Sequence, residues 1–590
     1  MIKRLWRLLA PDERRRVIGI APLLVVSALV EVIGVAAVIP FLTLLTDPAS
    51  LASVPLLGPL VGPTGGDLDL RLAGFALAAV LFLANGLLIA TNWWLFRFSW
   101  GLNHSISSRL LRHYLAQPYA FVLTRNSSSL ANRIVVEVRQ LIDQGVRAAL
   151  EALTRSVVIV ALVAFLVVLD PLTAVVAFVA LGSVYGAIFL VTRRYLQRIG
   201  RESVRVGAAR LKAVNEALGG FKDLRVAGRE ASAYAQYVGP SRRFGEVQAA
   251  VMAIAGLPRY ALEAVAVGGL VIVATLLSGR QDAAVGTLPL LGAYAFAGLR
   301  MMPALQILFG AFARMRFATG ALDAVEADLR ATADLEFDAE VGEPVSMSVA
   351  EAVEVRDVSY SYPTGDVPAL EGVSLRVECR RSVAIVGHTG SGKSTLVDVL
   401  LGLLVPQQGT LTVDGVPVER PQLRTYRRLF GYVPQSIFLM DDTIARNVAF
   451  GLPEDQVDMV AVRRACRQAQ IDDFIEQELP RGYATEVGER GVRLSGGQRQ
   501  RIGIARALYH QPEILVFDEA TSALDVHTEQ RVYEALDDIA KERTLVTIAH
   551  RLETVGKADH VVVLEGGRIV DEGAPTEVLT RYRGESVSTP

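Results

Sequence analysis

Apolar residues run in long blocks through the first half of this chain and in short β-branched bursts through the second, and the change of rhythm marks two kinds of domain. Stretches apolar enough to cross the ~30 Å hydrocarbon of a bilayer as helices fall at residues 17–45, 72–94, 153–169, 172–191, 261–277 and 287–309. About six membrane spans are predicted. Asp170-Pro171 separates the third from the fourth, so those two helices turn back within a very short loop, because proline disfavours helical backbone at the residue before it. The segments after spans two and four are long, polar and poor in glycine and proline, so they are expected to prolong the membrane helices into the cytosol. Pro118-Tyr119-Ala120-Phe121 and Gly219-Gly220-Phe221-Lys222-Asp223 interrupt the helical pattern where the tips of these extensions would lie, within reach of a cytosolic domain. Past the sixth span the chain turns acidic through Asp323, Glu326, Asp328, Asp334, Glu336, Asp338 and Glu343, which reads as a connector. The predicted order is a helical transmembrane domain over 1–320, a linker over 321–350, an α/β domain over 351–580 and a short tail over 581–590.

Composition supports the membrane assignment and narrows the partners. With 590 residues the chain exceeds one ordinary domain, and 51% hydrophobic residues is more than soluble enzymes carry. A net charge of -1 supplies no basic excess for a nucleic acid. Arginines instead cluster at particular span ends: Arg14, Arg15 and Arg16 at the start, Arg109 to Arg139 after span two, Arg193 to Arg210 after span four. The segment from Asp47 to Asp69 has no lysine or arginine, so the positive-inside rule places both termini in the cytoplasm. The first apolar run is too long for the core of a secretory signal and is read as a retained helix. Cys379 and Cys466 both lie in the second half, where a reducing cytosol keeps them as thiols.

The second half carries the chemistry. Ser382-Val383-Ala384-Ile385-Val386 reads as a buried strand leading into Gly387-His388-Thr389-Gly390-Ser391-Gly392-Lys393-Ser394, with Thr395 next. Strand, glycine-rich loop and helix form the context of a phosphate loop, in which backbone N–H groups cradle phosphates, Lys393 neutralises the β and γ oxygens and Ser394 ligates Mg²⁺. Ile514-Leu515-Val516-Phe517-Asp518-Glu519 reads as a second buried strand ending in two carboxylates, Asp518 for the Mg²⁺ shell and Glu519 as general base for the attacking water. His550 follows a third apolar strand, 544–549, and is positioned to meet the γ-phosphate. Leu494-Ser495-Gly496-Gly497-Gln498 opens a helix whose free amides suit an anion, yet this domain has its own phosphate loop. The second anion site therefore serves the ATP of a second copy.

These motifs in this order resemble those of exporters with an ATP-binding cassette, in the arrangement of one membrane domain followed by one cassette. That resemblance implies an adenine-stacking role for Tyr362, a Q-loop role for Gln435 at the catalytic Mg²⁺, a D-loop at Ser522-Ala523-Leu524-Asp525 with Asp525 near the nucleotide, and a sensor of the inner-loop tips at Glu489-Arg490-Gly491. Within the exporters the membrane half is similar to lipid-linked oligosaccharide flippases of the PglK type, through Leu29-Val30-Glu31, Ile39-Pro40-Phe41, Leu257-Pro258-Arg259 with Glu263, and Leu299-Arg300-Met301-Met302-Pro303. A short helix over residues 49–60 is implied as well.

Ionisable residues at bilayer depth are costly and normally face a partner or a wet cavity. Arg259 and Arg300, with Glu31 and Glu263, are thus the candidates to meet a cargo, the guanidinium groups suiting a pyrophosphate. The expected function is ATP-driven flipping of a lipid-linked oligosaccharide from the cytoplasmic to the outer leaflet of a bacterial inner membrane, by a homodimer using ATP and Mg²⁺. A lipid A-like glycolipid, a hydrophobic drug or a peptide is the alternative cargo. An ATP-gated channel or regulator is disfavoured by the intact Glu519, and a soluble chromosome-maintenance ATPase by the six apolar spans.

Overall fold

The computed structural model describes residues 1–36, 70–169, 171–277, 284–330, 347–363, 365, 367–488, 491–518, 543–549 and 555–586. They form two compact units, one of Met1–Gln117 with Arg125–Phe337, the other of Pro118–Thr124 with Asp338–Pro590.

The first unit is helical. After α1 (Ile2–Leu8) come α2 (Pro11–Ala36), α3 (Leu70–Ala116), α4 (Tyr119–Thr124, which belongs to the second unit) and α5 (Ser127–Asn132). α6 (Arg147–Leu169), α7 (Pro171–Gly219), α8 (Phe221–Val226), α9 (Glu230–Leu277), α10 (Ala284–Phe317) and α11 (Thr319–Arg330) follow. Each apolar window read from the sequence falls on one of the helices α2, α3, α6, α7, α9 and α10, the end of the first window and the short helix implied at 49–60 lying outside the described residues. α3, α7 and α9 have 47, 49 and 48 residues. At 1.5 Å per residue each is about 70 Å long, more than twice the hydrocarbon thickness, because the polar segments continue the same helices. The two interruptions of the pattern become the short helices α4 and α8.

Glycine decides where two of these helices touch. A Cβ at Gly200 of α7 would lie 2.0 Å from the carbonyl oxygen of Phe317, and one at Gly320 would lie 2.5 Å from that of Gly200. The backbones of α7 and the α10–α11 junction are in direct contact, which no larger residue allows.

The acidic stretch after span six is no loose connector over its first part. Asp323, Glu326 and Asp328 lie in α11, where Glu326 and Asp328 are buried. Arg4 donates to Glu326 Oε2 at 2.6 Å and to Asp323 Oδ1 at 2.8 Å, Arg201 reaches Asp323 at 3.2 Å, and Tyr114 and Arg133 both donate to Asp328. Four distant segments supply these partners, which a linear reading of charge cannot see.

Glu137 lies beside this cluster, within electrostatic reach of Arg133 and Asp328. It accepts from Asn132 Nδ2 at 3.0 Å through one oxygen, while the other is buried with no partner among the described residues. Burial outweighs the neighbouring Arg133 and pushes its carboxyl up to about 7. A folded-state value above the ordinary 4.5 means that the folded protein binds the extra proton, so stability falls as pH rises through the window from 4.5 to about 7 and levels off above it. The loss is expected to be on the order of 1–3 kcal/mol. Thermal unfolding of Glu137→Gln should lose this part of the pH dependence; an unchanged slope between pH 5 and 7 would refute the assignment.

The second unit holds two sheets. β1 (Ala352–Tyr360), β2 (Leu370–Glu378), β4 (Gln408–Val413) and β5 (Val416–Pro417) form an antiparallel sheet in the order β2-β1-β4-β5. β3 (Ser382–Val386), β6 (Phe430–Val433), β7 (Ile514–Asp518), β8 (Thr544–Ile548), β9 (His560–Glu565) and β10 (Arg568–Gly573) form the other, ordered β10-β9-β3-β8-β7-β6 and parallel except for β10. α12 (Lys393–Leu400) packs between the sheets through Leu396, Val397, Val399 and Leu400. α13 (Gly496–Leu508) anchors a separate helical core with Val462, Cys466 and Ile475. Cys379 and Cys466 are both free thiols, and burial pushes that of Cys466 up to about 12.

Candidate nucleotide site and family

In an open parallel sheet, loops at the carboxyl ends of neighbouring strands share one crevice. The strand order puts the ends of β3, β8, β7 and β6 side by side, so the phosphate loop after β3, Asp518 at the end of β7 and Gln435 after β6 converge from positions far apart in sequence. Register agrees, with Asp518 opposite Ile548 and Val433 opposite Phe517.

The phosphate loop owes its shape to glycine. Gly390 and Gly392 adopt φ of 84° and 104°, in the left-handed region open to glycine. At Gly387 a Cβ would lie 2.1 Å from the Leu564 carbonyl oxygen, and at Gly392 it would lie 2.6 Å from that of Ala369. Gly392 caps α12, whose first residue is Lys393. The Lys393 ammonium is buried and donates to the carbonyl oxygens of Gly387 at 2.8 Å and His388 at 2.9 Å. Ser391 Oγ is buried without a partner among the described residues, while His388, Thr389 and Ser394 are exposed. A backbone cradle, a buried cation and an orphaned hydroxyl fit a polyphosphate.

Tyr362 stands beside this loop, its hydroxyl 3.1 Å from Thr395 Oγ1 and its ring edge-on to Tyr360. Tyr432 donates to Asp518 Oδ2 at 3.3 Å, and burial with the nearby carboxylates Asp518 and Asp398 raises its own phenol. Asp398 was not singled out from the sequence. Burial, with Asp518 close by, pushes its carboxyl up to about 6, and the available signal was an acid inside the apolar run Leu396-Val397-Asp398-Val399-Leu400. Ser394, Asp518 and Gln435 supply oxygens of the type Mg²⁺ takes alongside phosphates. Glu519, the D-loop with Asp525, His550, and Glu489 with Arg490 lie outside the described residues.

Ser495 caps α13 in a reciprocal box, its Oγ accepting from Gln498 N–H at 3.2 Å while Gln498 Oε1 accepts from Ser495 N–H at 2.8 Å. The box consumes the side chains and leaves the N–H groups of Gly496 and Gly497 without acceptors among the described residues. Farther along α13, Arg506 donates to the carbonyl of Phe438 at 2.8 Å, and a Cβ on Gly503 would come within 2.5 Å of Ile437. The signature helix thus packs on the residues just past Gln435, a link invisible in the motif spacing. Among the cargo candidates, Glu31 pairs with Arg155 of α6 at 2.8 Å, a partner not foreseen from the sequence. Arg259 and Glu263 fall on α9 and Arg300 on α10; their side chains lie outside the described set.

Residues 25–295 match the model of the ABC transporter transmembrane region, and residues 370–522 match that of the ABC transporter domain. The ATP-dependent lipid A-core flippase of Burkholderia orbicola is 30% identical over 98% of this chain and 93% of its own length. The chain belongs to the ABC transporter family. The transporter is also 47% identical to the lipid A-core flippase of Saccharophagus degradans, over 39% of this chain and 38% of that protein. A bacterial Atm1-family ABC exporter solved with ATP bound superposes with a TM-score of 0.76 at 26% identity, covering 98% of this chain and 99% of the other. The protein is therefore an ABC exporter, a helical membrane domain followed by an ATP-hydrolysing cassette.

Proposed function

We propose that two copies of this exporter use ATP to move an anionic glycolipid of the lipid A-core class from the cytoplasmic to the outer leaflet of a bacterial inner membrane. The observation that carries the cargo is the likeness to a lipid A-core flippase along nearly the whole of both chains. It favours that class over the lipid-linked oligosaccharide expected from the sequence, whose motifs were confined to the membrane half. Both cargoes carry phosphate, and Arg259 and Arg300 remain the candidates to meet it, whereas the charge of Glu31 is already matched by Arg155.

In the cassette, Lys393 and the backbone amides of residues 387–394 hold the β and γ phosphates, Tyr362 lies against the adenine, and Ser394, Asp518 and Gln435 hold Mg²⁺, which supplies charge neutralisation when bound. Glu519 accepts the proton of the attacking water, and His550 meets the γ-phosphate. The Gly496 and Gly497 amides face the nucleotide of the other copy, with Asp525 at the same boundary, so ATP closes the homodimer. Closure of the cassettes drives the rearrangement of the membrane helices, with both termini cytoplasmic.

Proteoliposomes containing fluorescent lipid A-core, lipid-linked oligosaccharide or phosphatidylcholine test the cargo. ATP-dependent protection of the lipid A-core probe alone is expected. Transfer of the oligosaccharide lipid without transfer of lipid A-core would sink this reading.

A further inference from the structure

An apolar cavity of about 670 Å³ opens within the first unit among α6, α7 and α10. Val160 and Val163 of α6, Gly182, Gly186 and Phe189 of α7 and Phe312 of α10 line it. Its one polar wall residue, Ser156, has its hydroxyl bonded to the Ala152 carbonyl at 2.7 Å, so the wall presents no unsatisfied donor. The slot runs past the two glycines, where a Cβ at either Gly182 or Gly186 would meet no atom of the described residues within 4 Å. From Ser156 to Ala164 the slot follows α6 for about 12 Å, most of the ~15 Å depth of one leaflet's hydrocarbon. Val160 is 67% exposed and Phe312 is 39% exposed, so the cavity is accessible from the side.

Positive charge gathers at one end. Phe189 and Phe312 face each other with ring centroids 6.1 Å apart, and the Arg316 guanidinium lies 6.0 Å from the centre of the Phe189 ring. Arg193 follows Phe189 by four residues on α7, and Arg316 follows Phe312 by four on α10, so each stands one helical turn beyond a wall residue on the same face. Neither arginine forms an ion pair with a carboxylate among the described residues. Two acids of the neighbouring helices are engaged by other arginines, Glu151 of α6 by Arg147 and Arg314, and Glu31 of α2 by Arg155.

We propose that this cavity holds an acyl chain of an anionic phospholipid of the cytoplasmic leaflet, with the lipid phosphate between Arg193 and Arg316. The lining residues named all come from one chain, and the proposed occupant is a resident lipid rather than the exported molecule, so the proposal does not rest on the cargo reading. A bilayer is as apolar as the slot, so burying the chain confers little selectivity by itself. Selectivity comes from the head group, where two guanidinium groups favour a phosphate whose charge is not cancelled by an attached ammonium.

Native mass spectrometry of the full-length protein, equilibrated with equal amounts of phosphatidylglycerol and phosphatidylcholine, provides the test. At least a ten-fold preference for phosphatidylglycerol in one tightly held copy per chain is expected. Gly186→Leu fills the slot and should remove that copy while the melting temperature measured without added lipid is retained. The double variant Arg193→Gln, Arg316→Gln should keep a lipid and lose the preference for phosphatidylglycerol. Equal retention of phosphatidylglycerol by Gly186→Leu, or an unaltered preference in the double variant, overturns the proposal. So does displacement of phosphatidylglycerol by equimolar lipid A-core, which would make the slot a cargo subsite, or loss of the dimer in Gly186→Leu, which would mean that a second copy fills it. Failure of the lipid A-core transfer assay leaves the retained phosphatidylglycerol unaffected, so the two readings fall separately.

Discussion

Replacing Lys393 with alanine is expected to lower ATP hydrolysis by more than ~10²-fold, the scale seen when a preorganised charge is withdrawn from a transferring phosphoryl group. The ammonium is buried at the first position of α12 and held by two carbonyl oxygens of its own loop, so it is already aimed into the cradle that the glycines leave open. Phosphate oxygens would replace neutral acceptors by charged ones and roughly double the strength of each bond. Arginine should not rescue the activity, because a planar fork does not fit a pocket shaped for a compact ammonium. Alanine favours the helix, so the variant should fold, and an unchanged circular dichroism melt separates lost chemistry from lost structure. Binding of a fluorescent ATP analogue should fall together with turnover. Turnover above a tenth of wild type would refute the assignment.

Glu519→Gln should produce the opposite separation, ATP bound but scarcely hydrolysed. Glutamine keeps the size of the side chain and removes its capacity to accept a proton, and general base catalysis is worth typically 10²–10⁴-fold. Glu519 directly follows Asp518, where β7 delivers its carboxyl end to the crevice. Radiolabelled ATP should remain with the variant through a desalting column, whereas the Lys393→Ala protein elutes free of it. Rapid hydrolysis by Glu519→Gln would assign the base elsewhere, and Asp398, raised by burial beside Asp518, would be the first residue to examine.

The contrast between these variants matters for the coupling of ATP to transport. Gly503 and Arg506 seat α13 against the residues following Gln435, so the helix that opens at Gly496 and the segment after β6 form one packed element. A change at either one displaces the other. In the proposed mechanism this packing would link closure of two cassettes to the residues around Gln435; α4 clusters with the cassette unit.

Most of the architecture was legible because it depends on local rules. Six apolar runs of membrane length have only a helical solution, since every backbone group in hydrocarbon must be satisfied within its own segment. The phosphate loop was equally legible, because backbone angles such as those at Gly390 and Gly392 restrict the sequence itself. The cargo class was not legible, because the candidates Arg259 and Arg300 would suit the phosphate of either glycolipid class, and the proposal between the two rests on likeness to a lipid A-core flippase over nearly the whole chain. From the sequence came the helical and cassette domains, the extension of the apolar helices through polar segments, and the residue types of the candidate ATP site. What depends on distant segments meeting came from the tertiary structure: the strand order that sets the carboxyl ends of β3, β8, β7 and β6 side by side, the burial of Asp398, the ion pairs that hold Asp323, Glu326 and Asp328 of α11, and the slot beside Gly182 and Gly186. Burial and electrostatic pairing are properties of proximity in space, and the one-dimensional pattern records them only where neighbours in the chain are also neighbours in the fold.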